Sequence, residues 1–164
     1  MLIDHYAPAD LVAITKIYGH FVESTAITFD LEAPTENMMG EKVAGLLSAG
    51  YPFLIARDDN GAVYGFAYAS AYRPKKAYQH SAEVTIYLDP RAQGRGIGNA
   101  LMEKLLDSLE TDHKFHLAIA VIADDAKASI GLHKKHGFKE IGYLSEVGKK
   151  FGKWHGTTLL SRSV

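Results

Sequence analysis

The sequence predicts an α+β (α/β layered) domain built around a mixed central sheet. Three observations carry that expectation. Apolar residues at helical spacing occur both before and after a meander of strand-like segments. Asp58-Asp59-Asn60-Gly61 joins two of those segments with strong hairpin chemistry. A glycine-rich stretch then leads directly from the third segment into a helix. The 164 residues fit one domain, 1–164, long enough to bury a core without a disulfide or a structural metal.

Taken in order, Leu2 to Tyr6 alternates as a short strand, and Ala7-Pro8-Ala9-Asp10 reads as a helix start. Leu11, Ile14, Ile17, Tyr18 and Phe21 then share one helical face. A threonine-containing loop (Ser24 to Thr35) precedes a second helix, Glu36 to Ser48, with Met39, Val43, Leu46 and Leu47 on its apolar side and Gly50 ending it. Tyr51 to Arg57, Ala62 to Ala71 and Ser81 to Leu88 are the meander; the last alternates Glu83, Thr85 and Tyr87 against Val84, Ile86 and Leu88. A third helix runs from about Gly96 to Glu110 through Ile97, Leu101, Leu105 and Leu109. Phe115 to Ile122 is an apolar strand, and Ala126 to His136 is a helix closed by Gly137. Lys139 to Val147 and Lys153 to Leu160 complete the order β-α-α-β-β-β-α-β-α-β-β.

Composition narrows the function. The absence of cysteine excludes a disulfide scaffold, a zinc ribbon and a thiol nucleophile, and it suits a reducing cytoplasm. A net charge of -1 gives no global pull toward nucleic acid. No apolar run approaches membrane-spanning length, and the N-terminus lacks a signal pattern, so an intracellular, cytoplasmic protein without a membrane partner is expected. His113/His116 and His133/His136 have no metal-binding motif around them, so no metal is expected.

The most informative stretch is Arg91-Ala92-Gln93-Gly94-Arg95-Gly96-Ile97-Gly98-Asn99. Its glycines let backbone N–H groups converge at a helix N-terminus, where a phosphate or pyrophosphate is the natural guest. A dinucleotide fingerprint would need glycine at position 99, where Asn99 stands, and a P-loop would need Gly-Lys followed by Ser or Thr. The pattern that remains is Arg91-x-x-Gly94-x-Gly96, against the plain alternative of a glycine-rich turn.

That pattern after the fourth strand resembles the acetyl-CoA loop of the GNAT superfamily of N-acetyltransferases, and the resemblance extends over essentially the whole chain, including Ala128 to Phe138. More narrowly, the chain is similar to the phosphinothricin and methionine sulfoximine/sulfone acetyltransferase branch. The residues carrying that likeness are Thr28-Phe29-Asp30, Gly50-Tyr51-Pro52, Arg73-Pro74 with Ala77-Tyr78, and Glu83. Ser129-Ile130 with Leu132-His133, Val147-Gly148, Lys150-Phe151-Gly152 and Trp154 add to them. The resemblance implies the GNAT fold and acetyl-CoA as co-substrate. Strand backbone at Ile86, Tyr87 and Leu88 should face the pantetheine arm, and Gly94, Arg95, Gly96, Ile97, Gly98 and Asn99 should hold the pyrophosphate. It also implies acceptor contacts from the Arg73, Lys76, Ala77, Tyr78 loop, and a homodimer.

Two departures from the branch stand out. Ala126 occupies a position that is commonly asparagine, with Asp124, Asp125 or a water as substitutes, and Gly156 replaces the aspartate of Trp-x-Asp.

Acetyl transfer to an amine needs a neutral amine and a tolerated thiolate. Without cysteine, a cysteinyl acyl-enzyme is impossible, so direct attack in a ternary complex is expected. Glu83, the one carboxylate of its strand, reads either as a residue on a solvated face or as a base; the resemblance implies general base, direct or through water, with His80 a weaker candidate. His133 reads either as a packed surface histidine or as an auxiliary acid or orienting group. The basic loop Arg73 to Tyr78 is either ordinary solvated surface or a receptor for an acceptor's carboxylate. Phe29 and Trp154 are candidate apolar walls. The function expected is acetylation of a small amino-acid-like substrate; a peptide acetyltransferase and a non-catalytic CoA-binding domain are the rivals.

Overall fold

Seven strands and four α-helices follow one another in the expected order in the computed structural model, which describes residues 1–164. The strands are β1 (Leu2–His5), β2 (Phe53–Arg57), β3 (Val63–Ala71), β4 (Ser81–Leu88), β5 (Leu117–Ala123), β6 (Lys139–Lys150) and β7 (Lys153–Ser163). The helices are α1 (Leu11–Ser24), α2 (Glu36–Ser48), α3 (Ile97–Thr111) and α4 (Lys127–Lys135). One mixed sheet runs β1-β2-β3-β4-β5-β7-β6, antiparallel throughout except at β4–β5.

Local chemistry sets most boundaries. Helix α1 begins at Leu11, after a short 3-10 turn over Pro8–Asp10, because the Asp10 carboxylate accepts the Ala7 N–H (2.8 Å) and pairs with Arg57 (2.9 Å). Thr35 caps α2 by accepting the Met38 N–H. The Asp58 carboxylate accepts the N–H groups of Asn60 and Ala62, and Gly61 takes the left-handed conformation that closes the hairpin. Gly137 does the same after α4.

The differences from the sequence reading are mostly at ends. Strand β1 stops at His5, β2 and β3 start at Phe53 and Val63, α3 starts at Ile97, β5 is shifted to Leu117–Ala123, and α4 loses a residue at each end. Strands β6 and β7 run three residues further than periodicity suggested. In β6 a register shift between Leu144 and Gly148, with Glu146 at positive φ, breaks the alternation without ending the pairing. Leu47 is exposed; only Met39 and Val43 of α2 are fully buried.

Two cores result, one on each face of the sheet. Helices α1 and α2 cover a cluster in which the Phe53, Phe66 and Tyr68 rings stack. Helix α3 buries Ile97, Leu101, Met102, Leu105 and Leu109 against Ala82, Val84, Ala118, Ala120 and Leu160. At the end of β4, a Cβ on Gly65 would meet the Tyr87 carbonyl at 2.7 Å and Leu88 Cδ2 at 2.6 Å, so β3 and β4 approach there only because residue 65 lacks a side chain. Gly65→Ala should therefore destabilise the fold by about 1–3 kcal/mol in urea unfolding, the usual range for overpacking.

Candidate functional site

The register of the central strands creates the site. Parallel pairing of β4 with β5 covers only Ser81, Ala82 and Glu83. Beyond Glu83, β4 stays zipped to β3 through Leu88 while β5 stays zipped to β7 through Ala123. The two strands part, and the β5-facing edge of Val84–Leu88 has no strand partner. A backbone edge of that kind is a template for an extended ligand bearing amides. A cavity of about 640 Å³ fills the opening, within the range that holds a cofactor-sized molecule. Its lining includes Glu83 to Leu88, Gln93 and Gly94, the ends of β5 and α4, and Phe29.

At the far end of β4, Asp89 accepts the Arg91 N–H (2.9 Å) and two guanidinium contacts from Arg91 (2.9 and 2.6 Å). Those hydrogen bonds hold the Asp89 carboxyl below its usual range against the opposing effect of burial. The turn after it carries Gly94 and Gly96 at φ near +75°, with open space where each Cβ would be. Gly96 is the N-cap of α3 and offers no side chain to its first N–H groups. A left-handed, side-chain-free helix start with unsatisfied amides is suited to a phosphate-bearing ligand. Arg95 lies over the Tyr64 ring at 4.6 Å, Ile97 and Gly98 are buried under the turn, and Asn99 Oδ1 accepts from His136 Nε2 (3.3 Å), tying α3 to α4.

Helix α4 contributes His133, which is 2% exposed. Its Nδ1 lies 2.7 Å from the Ser129 carbonyl, which can only accept, so in the neutral ring the proton is on Nδ1 and Nε2 carries a bare lone pair. Nε2 is buried with no partner, and Phe138 packs edge-on against the ring. Burial pushes the His133 pKa down, only partly offset by the Ser129 bond, so the ring is neutral at pH 7.

On the opposite face, the cavity is walled by Phe21, Ile27, Thr28, Phe29, Tyr68 and Tyr87. The segment between α1 and α2 roofs it. Tyr18 donates to Asp30 and shares a 2.9 Å hydrogen bond with Thr28, and buried Lys150 donates to the Thr28 carbonyl at 2.8 Å. Phe29 lies flush on Gly148, where a Cβ would sit 2.4 Å from the ring. Glu83 faces this chamber. Burial raises its pKa above the ordinary carboxylate value, and the nearby Lys42 ammonium opposes that rise. Lys42 reaches in from α2, donating to Tyr68 Oη at 2.9 Å and lying 5.5 Å and 5.0 Å from the Tyr18 and Tyr68 ring centroids.

The structure thus gathers Glu83, Ile86, Tyr87, Leu88, Gly94 and His133 around one cavity, with Phe29 as a wall. It does not place Arg73, Lys76, Ala77 or Tyr78 in that lining: they sit on an exposed turn, with the Arg73 guanidinium over the Tyr72 and Tyr78 rings. Trp154 is exposed outside it, and His80 is an exposed residue bonded to the Lys114 carbonyl. At the departures, Ala126 is buried in the cavity wall. Asp124 accepts from the Gly156 N–H (2.8 Å) and from Tyr143 Oη (3.1 Å), while Tyr143 fills the space a side chain at 156 would take. Sequence reasoning missed Lys42, Tyr68 and Thr157, and read Lys150 only as part of the family likeness and not as a buried tie; all are brought in by tertiary pairing. No group of three or more His, Asp or Glu side chains is placed to hold a metal.

Removing the Lys42 charge should expose the full effect of burial. In Lys42→Met, the Glu83 carboxyl should titrate at higher pH than in the parent protein, read by carboxyl-carbon NMR.

Comparison with known proteins agrees with this geometry. Residues 3–159 match the family profile described as an acetyltransferase (GNAT) domain. The chain is 40% identical over 156 residues to phosphinothricin N-acetyltransferase of Alcaligenes faecalis, covering 94% of this chain and 78% of that one. It is 35% identical over 153 residues to the L-methionine sulfoximine/L-methionine sulfone acetyltransferase of Salmonella typhimurium, covering 93% and 88%. Among solved structures, a phosphinothricin acetyltransferase from Sinorhizobium meliloti in complex with acetyl-CoA superposes with a TM-score of 0.96 at 37% identity, covering 99% of this chain and 88% of that one. A parted strand pair, a glycine turn at a helix mouth and a match along nearly the whole chain make this protein a member of the GNAT acetyltransferase family.

Proposed function

We propose that this acyltransferase moves the acetyl group of acetyl-CoA to the amino group of a small amino-acid-like acceptor, of the phosphinothricin or methionine sulfoximine/sulfone type, by direct transfer in a ternary complex. One observation carries the reading: a single cavity joins an unpartnered β4 edge and a glycine turn on one side to a lone desolvated carboxylate on the other. The roof of Thr28 and Phe29, fastened by Lys150, favours a small acceptor over a peptide chain. The names of the relatives point to the same acceptor class.

The residues fit acetyl-CoA. Backbone at Ile86, Tyr87 and Leu88 faces its arm, and the turn and helix mouth from Gly94 to Asn99 receive its pyrophosphate. Bound there, acetyl-CoA supplies an activated acyl group. Glu83 takes the proton from the acceptor ammonium, directly or through a water. Its pKa, raised by burial against the opposing Lys42 charge, makes it a stronger base than an ordinary carboxylate. His133, neutral with Nε2 bare, starts as a hydrogen-bond or proton acceptor that orients the reacting end; an acid role would need prior protonation, which burial opposes. Arg73, Lys76, Ala77 and Tyr78 are proposed as contacts for the acceptor's anionic end.

We also propose that the chain, one domain over residues 1–164, works in the cytoplasm as a homodimer. No helix is long and apolar enough to cross a membrane. The last hairpin exposes Ile141, Tyr143, Leu144, Val147, Phe151 and Trp154, an apolar surface that a second copy would cover.

Thiol release from acetyl-CoA with a panel of amino acids, phosphinothricin and methionine sulfoximine among them, tests the activity. In Glu83→Gln, turnover should fall about 100-fold or more while acetyl-CoA affinity by calorimetry stays unchanged; turnover surviving at neutral pH removes Glu83 as base. The same variant should melt at a higher temperature than the parent at pH 7. A carboxyl whose folded pKa is raised costs stability above its unfolded value, 4.5, so the gain should vanish below that pH. A variant carrying Ile141→Glu and Trp154→Glu should sediment as a monomer.

A further inference from the structure

The acceptor chamber holds a buried polar atom without a partner, two strands away from Glu83. Thr157 lines the cavity and is 5% exposed, and its Oγ1 is buried without a hydrogen-bond partner. Its direction follows from register. Glu83 pairs with Ile119, and Ala123 pairs with Thr157, so Glu83, Ile119, Val121, Ala123 and Thr157 lie on one face of the sheet. The alternate residues Ala118, Ala120 and Ile122 pack in the α3 core on the other face.

Several other polar atoms of the chamber are already engaged. Thr28 Oγ1 is bonded to Tyr18, the Thr28 carbonyl accepts from Lys150, and Tyr68 Oη accepts from Lys42. Valine would fill the Thr157 position without burying an unpaired hydroxyl, which is destabilising. A hydroxyl at this depth among apolar walls gains a partner when a ligand brings one.

We infer that Thr157 is a specificity-determining residue whose O–H donates to an oxygen on the acceptor's side chain, of the sulfonyl, sulfoximine or phosphinate kind. The inference rests on the amino-acid acceptor proposed above and adds the group that reads the acceptor's tail. An amine held at Glu83 and a tail oxygen held at Thr157 fix both ends of a short molecule across the chamber. An acceptor ending in a bare thioether leaves the hydroxyl unsatisfied.

The test compares L-methionine sulfone with L-methionine, which share a chain and differ in the two oxygens. In Thr157→Val, KM for the sulfone should rise about tenfold with kcat little changed, while L-methionine should be turned over as well as before or better. Thr157→Ser should restore the sulfone KM. The valine variant without ligands should melt no lower than the parent, which separates a lost ligand contact from damaged packing. Equal changes for both acceptors, or none, overturn the role of Thr157 and leave the acetyltransferase reading standing. A parent protein that acetylates neither compound nor any other amino acid overturns the acceptor reading and this inference together.

Discussion

The separation of β4 from β5 beyond Glu83 is the constraint on which the rest of the site depends. Three paired residues hold the strands together at one end, and each strand is then carried away by its other neighbour, β3 or β7. The cost of an open backbone edge inside the sheet is offset by the α3 core, which buries Ala82 and Val84 of β4 and Ala118, Ala120 and Ile122 of β5. Glu83 stands at the last paired position, so the same geometry that opens the cavity puts the carboxylate at its base. Desolvation of that carboxylate, moderated by Lys42, is a consequence of where the sheet divides.

The two faces divide the labour. On the α3 and α4 side the groups are backbone amides, glycines with no Cβ, and a neutral imidazole, all compatible with a long polar ligand lying along an edge. On the α1 and α2 side the walls are aromatic, and the polar atoms are fastened to one another by Tyr18, Lys42 and Lys150. Stacked Phe53, Phe66 and Tyr68 stiffen that wall from behind. A rigid chamber of this kind discriminates by which polar atoms it leaves unsatisfied, since a missing partner inside an apolar wall cannot be replaced by bulk water.

Much of this was legible in the sequence where the signal is local. Helix α2 and strand β4 have the boundaries their periodicity suggests, and the Asp58–Gly61 turn and the Gly94–Gly96 loop announce themselves through residues that favour special backbone angles. Glu83 stood out as the one carboxylate in its strand. The bulged course of β6 was not legible, because Glu146 takes a positive φ that no glycine signals. Lys42 looked like any surface lysine of an amphipathic helix, and Thr157 like any strand threonine. Their significance comes from pairing partners distant in the chain, at Tyr68 and Ala123. The basic loop shows the converse: its composition suggested a receptor, yet within one chain it lies outside the cavity lining.

The contact among Gly156, Tyr143 and Asp124 has a consequence for how this chain can change. Tyr143 occupies the volume a residue-156 side chain would need, and its hydroxyl and the Gly156 amide both depend on the Asp124 carboxylate. An aspartate introduced at 156 would therefore displace the ring and set two carboxylates against each other. Tyr143 is half-exposed and can swing aside, so a side chain at 156 is admitted at the expense of the Tyr143–Asp124 hydrogen bond, and the three positions are coupled through one carboxylate.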